Sequence, residues 1–123
     1  MVATVALWGL FSLSAGCGAV LRVLLDGMVS RRLPSSFPLG TLAVNLTGAF
    51  ALGLLDGSTD SRHVVLVCGT GLIGAYTTFS TWMFESQRLV EERQQRRAVQ
   101  NLVVSVVAGV AVAALGVWIG GRW

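Results

Sequence analysis

The chain has 123 residues, 54% of them hydrophobic and only 12% charged, with a formal net charge of +3. A soluble domain averages about 25% charged residues, so a water-exposed fold could not cover this much apolar surface. The length suits one domain, 1–123, and is too short for a dinucleotide-binding domain joined to a substrate domain.

The charges are also unevenly placed. No charged residue occurs in Val2–Leu21, Phe37–Leu55, Val64–Phe84 or Ala98–Gly121. A bilayer core about 30 Å thick is crossed by about 20 mostly apolar helical residues. The expected fold is therefore all-α and membrane-embedded, with spans at about 2–25, 37–55, 64–84 and 98–121.

The first span has no Lys/Arg-rich segment before it, and its apolar run exceeds the roughly 7–15 residues of a signal-peptide core. A retained helix is expected, although "SAGCGA" offers small residues of the cleavage type. Gly9, Ser12, Gly16 and Ala19 form one small-residue stripe, a candidate packing seam. Cys17 here and Cys68 in the third span lack metal-ligand spacing and are read as small hydrophobes. Asp26–Ser36 follows as loop 1, where "RRLPSSFP" carries turn chemistry and Pro38 suits the first turn of the next helix.

The second span contains Asn45 in "PLGTLAVNLTGAF", with Thr41 one turn earlier and Gly48 on the same face. An amide in hydrocarbon is costly unless it has a partner or faces water. Two readings stay open: an interhelical hydrogen bond, or a pore-facing donor offering two N–H groups to an anion. Asp56–His63 is a short polar turn. The lone His63 has no nucleophile or metal partner near it, and nothing else suggests an enzyme.

The third span opens with "VVLVCGTGLIGAYTTFSTW", in which Gly69, Gly71 and Gly74 reproduce a dinucleotide-binding fingerprint. Composition removes that reading. Periodicity alone favours an uninterrupted helix here, yet Gly74-Ala75-Tyr76-Thr77-Thr78 contains residues that favour leaving helical geometry. A break in the membrane survives only when buried in protein or lining a cavity, and carbonyls freed there can hold a cation. Beyond it, Phe79 and Trp82 share a face beside a stripe of Thr78, Thr81 and Glu85. "ESQRLVEERQQRR" is expected to prolong the helix past the membrane surface. The fourth span places Asn101, Ser105, Gly109, Ala113, Gly116 and Gly120 on one small or polar stripe.

All nine basic residues are arginine. They sit beside the spans and not in one continuous patch, which argues against nucleic acid. Arg31, Arg32, Arg88, Arg93, Arg96 and Arg97 share one side with Arg22 near the boundary; the other side has only Arg62 and Arg122. Positive charge marks the cytoplasmic side, so loops 1 and 3 are expected in the cytoplasm and both termini outside the cell membrane.

"GTLAVNLTGAF", "GLIGAYTTFSTW" and "GAVLR" together resemble the CrcB/Fluc fluoride channels, over most of the chain and in the right order. The resemblance implies a four-helix subunit with a break in the third helix, paired in an antiparallel dimer of dual-topology type. It implies passive fluoride export that lowers cytoplasmic fluoride toxicity. Asn45 matches the pore asparagine and Phe79 the first of two path-lining phenylalanines. Gly74 and Thr77 match residues whose backbone carbonyls, from both subunits, hold a structural sodium that is not transported. Thr78, Ser80, Thr81 and Ser105 supply hydroxyls near the path, Glu85 matches a vestibule acid, and Arg22 matches an arginine at the end of the first helix. Fluoride is small and strongly hydrated, and N–H, O–H and aromatic edges can replace its water.

Two positions depart from the pattern. Trp82 stands where the family has its second phenylalanine, and the tyrosine often found early in the fourth helix is missing, Asn101 being its nearest candidate. Trp82 and the one-sided arginines favour a heterodimer with a homologous subunit over a homodimer. Two other functions compete. A small multidrug-type exporter needs a membrane-embedded acid in its first span, and this first span has none. A non-conducting accessory subunit is the other, suggested by Trp82.

Overall fold

The structure is a computed structural model and describes residues 1–122. Helix α1 covers Val2–Arg32 and α2 covers Leu39–Ser58. The third span, Arg62–Glu91, is divided. Its first half, α3, begins as an α-turn at Arg62–Val64, widens to π-helix over Val65–Ile73 and closes with an α-turn at Gly74–Tyr76. The second half, α4, is Ser80–Glu91, and α5 is Gln95–Gly120. Four helical stretches are long and apolar enough to cross a membrane, and no strand occurs among the described residues.

The surface is inverted relative to a water-soluble protein. Among the described residues only Val44, Val67, Leu89 and Ala98 form a buried hydrophobic core, while Leu13 is 72% exposed and Val110 67%. Without a hydrophobic drive between helices in lipid, close backbone approach and polar contacts must hold the bundle. α2 and α5 achieve that approach through Gly53 and Gly57 against Gly116 and Gly120. A Cβ at Gly53 would run into the Ala113 carbonyl, and one at Gly116 into the Phe50 carbonyl.

The small stripe expected on the first span behaves differently. A Cβ at Gly9 or Gly16 would meet nothing within 4 Å, and the same holds for Gly109. Only Gly18 is pressed against α3, at the Leu72 carbonyl. Helical periodicity gave these glycines a shared face, but it does not say whether a neighbour lies against that face.

The α4–α5 corner also differs from expectation. The helix does not run on through "EERQQRR" but stops at Glu91, with Arg93 at φ 61°. Arg93 N–H donates to Val90 O at 3.0 Å and Gln94 N–H to Leu89 O at 2.8 Å. This pairing is a Schellman stop, normally built on glycine. Helix propensity was high enough to continue; burial of Leu89 and Ala98 on opposite sides of the corner decided otherwise.

Loop 1 and this corner lie on one side of the bundle. The Arg88 guanidinium reaches Ser36 O at 3.5 Å, and Arg97 donates to Ser36 Oγ. At the opposite end Arg122 lies 4.1 Å over the Trp118 ring, the kind of aromatic–cation pair that suits a membrane interface.

Candidate functional site

The interruption of the third span is built from its own residues and one from α2. Thr77 takes an extended conformation, φ −77° and ψ 160°. Thr78 N–H donates to Asn45 Oδ1 at 2.8 Å, and Asn45 Nδ2 donates to Thr78 O at 2.9 Å. The carboxamide thus pairs with the main chain as another peptide group would. Thr78 Oγ1, one residue before the Phe79 N-cap, accepts from Thr81 N–H at 3.2 Å and so satisfies a free donor in the first turn of α4. It also donates to Thr81 Oγ1 at 3.1 Å, and Ser80 Oγ lies 3.4 Å away.

These bonds have a consequence for the carbonyls. In a continuous helix Thr78 N–H would serve the Gly74 carbonyl, and Thr81 N–H would serve the Thr77 carbonyl. Both donors are spent elsewhere, on Asn45 and on the Thr78 hydroxyl. Gly74 and Thr77 therefore keep carbonyl oxygens without their helical partners, and free carbonyl oxygens are the kind of donor that a hard monovalent cation takes. Among the described residues no cluster of His, Cys, Asp or Glu is arranged to hold a metal.

Two adjoining cavities lie on the loop 1 side of the break. The inner one, 380 Å³, is lined by Arg22, Asp26, Thr41, Thr78 and Thr81. The outer one, 420 Å³, shares Asp26 and Thr81 and adds Ser30, Glu85 and Arg88. Thr41, only 2% exposed, donates its hydroxyl hydrogen to Glu85. Asp26 accepts from Ser30 Oγ at 3.2 Å and lies tight against Gly40, where a Cβ would strike its carboxylate.

Asn45, Thr78, Thr81, Glu85 and Arg22 are thus brought to one region. Phe79 projects outward, 70% exposed, with Trp82 edge-to-face at 5.7 Å between ring centroids. Ser80 is exposed beside Phe79, and Ser105 is separate, on α5 with its hydroxyl buried. Sequence reasoning overlooked Asp26 and Ser86. Asp26 stands four residues after Arg22, a spacing that puts both on one face of α1 and could have signalled it. Thr47 and Tyr76 join by a hydroxyl pair at 2.7 Å and brace α2 against α3 beside the break.

A helical membrane bundle with one span opened in its middle, and polar groups and cavities gathered at the opening, has the architecture of an ion-pathway protein. The sequence matches the family described as "CrcB-like protein, Camphor Resistance (CrcB)" over residues 9–117, and the chain belongs to that family. It is 56% identical over 116 residues to "Fluoride-specific ion channel FluC 2" of Mycobacterium tuberculosis (strain ATCC 25618 / H37Rv), covering 94% of this chain and 92% of that protein. The protein of the same name from Mycolicibacterium paratuberculosis is 58% identical over 113 residues, 92% and 93% of the two chains. "Fluoride-specific ion channel FluC 1" of Leifsonia xyli subsp. xyli is 43% identical over 114 residues, covering 89% and 83%. These relatives are ion channels, not enzymes.

Proposed function

We infer that the chain is a subunit of a fluoride-selective channel that lets fluoride leave the cytoplasm passively. The observation that carries this reading is the Asn45-pinned break with Thr78 and Thr81 beneath a polar cavity, in a chain whose close relatives carry the fluoride-channel name. Hydroxyl and amide donors can replace fluoride's water, and the nearby aromatic edges add partial positive charge. Binding stays weak enough for exit because no Lys or Arg stands at the span centres. The charge-free part of the first span, Val2–Leu21, holds no acid to carry protons, and Asp26 lies beyond it toward loop 1, which sets the multidrug-type exporter aside.

The sodium assignment at Gly74 and Thr77 belongs to this proposal. One chain offers two freed carbonyls, an incomplete shell for a cation, and a second subunit facing the break would supply the rest. The relatives' numbered names, FluC 1 and FluC 2, suit paired subunits. We favour an antiparallel heterodimer for the reason the arginines give: the positive charge is one-sided and would hold one chain in one orientation.

The test is fluoride efflux from liposomes holding this chain alone and then with a homologous subunit of opposite arginine bias. Passive efflux of fluoride over chloride is expected, in full only with the partner if the heterodimer holds. Efflux that requires a proton gradient, or equal efflux of chloride, overturns the channel reading. Lack of efflux with or without a partner favours the accessory subunit.

A further inference from the structure

The end of the bundle that holds loop 1 and the α4–α5 corner carries charge that nothing in the chain balances. All of the nine arginines except Arg62 and Arg122 stand there, against Asp26, Glu85, Glu91 and Glu92. The other end is even, with Arg62 and Arg122 against Asp56 and Asp60. Among the described residues the one ion pair is Arg88 with Glu92, at 4.0 Å. The corner acids are engaged by glutamines as well: Gln87 donates to Glu91 and Gln94 to Glu92, each at 3.3 Å.

Two of these arginines are brought together from different helices. Arg88 of α4 donates from Nη2 to Ser36 O at 3.5 Å, and Arg97 of α5 donates from Nη1 to Ser36 Oγ. One loop 1 serine thus holds two like charges near each other, and these repel unless an anion joins them. Neither is well satisfied. Arg97 has no carboxylate in salt-bridge reach. Arg88 has a long bond to Ser36, Glu92 at the limit of contact and no partner on Nε. Room for an anion is present: Arg97 is exposed, and Arg88, with 42% of its side chain exposed, lines the outer cavity beside Ser35 and Phe37. A guanidinium presents five N–H groups in a planar fork that matches the oxygens of a phosphate.

The surroundings decide which phosphate. Leu33, Phe84, Val90 and Val99 are exposed apolar residues at this same end, and Leu33 and Phe84 line the outer cavity with Arg88. Basic groups beside exposed apolar ones mark the level where headgroups meet acyl chains, and basic pockets between helix ends hold anionic headgroups there. A free phosphate would use the arginines and leave the apolar flank bare. We propose that Arg88 and Arg97, positioned by Ser36, bind the phosphodiester of one anionic phospholipid, with its acyl chains over this apolar flank. Asp26 lines both cavities and Glu85 is held by Thr41 of the inner one, so these acids keep the phosphate at the arginine rim and out of the inner cavity. The bound headgroup ties loop 1 to both sides of the α4–α5 corner.

The full chain in dodecyl maltoside, heated with added phosphatidylglycerol, phosphatidylcholine or inorganic phosphate, tests this. Phosphatidylglycerol in excess should raise the melting temperature by about 4 °C or more, and the other two should not. Arg88→Gln and Arg97→Gln should each lose most of that rise, and Arg62→Gln, at the other end, should keep it. An equal rise with phosphatidylcholine, or a full rise in both Arg88→Gln and Arg97→Gln, overturns the site. An equal rise with inorganic phosphate overturns the lipid as its occupant. Native mass spectrometry of the unaltered chain gives a readout that does not depend on the variants folding. From an equal mixture the chain should retain phosphatidylglycerol over phosphatidylcholine, and retention without preference overturns the proposal. None of these readouts involves ion flux, so the site stands or falls apart from the channel reading.

Discussion

Asn45 has both of its carboxamide ends on the main chain of Thr78, which makes it a structural part of the break as well as a candidate donor. Asn45→Leu would strand an N–H and a carbonyl inside the bundle, at about 1–3 kcal/mol for each unsatisfied group. Thermal stability and fluoride efflux should therefore fall together. A variant that keeps its melting temperature would show that the break holds without the amide. The sequence left two readings of Asn45 open, and only the contact with Thr78 shows what the amide binds; the second Nδ2 hydrogen takes no part in that pairing. Trp82 is the opposite case. Its indole N–H is committed to α5, so Trp82→Phe should retain fluoride efflux within about tenfold, whereas loss of a donor to a charged ion, worth about 1.5–3 kcal/mol, would cost more. Loss of all efflux would mean that the N–H serves the ion.

The helices were legible in the sequence as spans, because about 20 uncharged residues can do little else in a bilayer. Their ends were not. α1 continues through Asp26 to Arg32, and α4 stops at Glu91 where composition favours continuation. The stop stores strain: Arg93 sits in the left-handed region, which costs a residue with a Cβ about 1–2 kcal/mol. Arg93→Gly should relieve part of it and raise the melting temperature in detergent, after allowance for the greater freedom of glycine in the unfolded chain. A lower melting temperature would mean that the Arg93 side chain makes up for its backbone. The α2–α5 seam is less forgiving. Gly116→Val must force the Phe50 and Gly116 backbones apart, and overpacking of this kind costs about 1–3 kcal/mol or more. Retained stability in that variant would show the seam to be loose.

On the scale of the molecule, the open faces are more telling than the buried ones. A Cβ at Gly74 would meet only Gly69 O, at 3.6 Å, an ordinary contact within the chain. Gly74→Val should thus leave the single chain folded and harm only what a second subunit brings against it. Loss of dimer on crosslinking with unchanged helix content is the expected outcome; an intact dimer would remove Gly74 from the proposed interface and from the proposed sodium site. Orientation is checked by labelling Ser35→Cys and Ser58→Cys in cells expressing this chain alone, with Cys17 and Cys68 changed to Ala. Labelling of the Ser58 position alone from outside is expected. Equal labelling of both would mean insertion in both directions, and the case for a heterodimer would fail.

The sequence by itself determined that this chain lives in lipid, how many times it crosses, and which loops share the positive side, because hydropathy and charge act locally and add along the chain. It also marked the third span as vulnerable, through Gly74 and the tandem threonines, without deciding that it opens. Tertiary structure decided that. A helix gives up its hydrogen bonds only when another group takes them, and the takers are the Asn45 carboxamide from α2 and the Thr78 hydroxyl. The same reasoning separates the glycine stripes: identical spacing lies against backbone on α2 and α5 and against nothing on much of α1. Spacing defines a face, and only the arrangement of the other helices says what meets it.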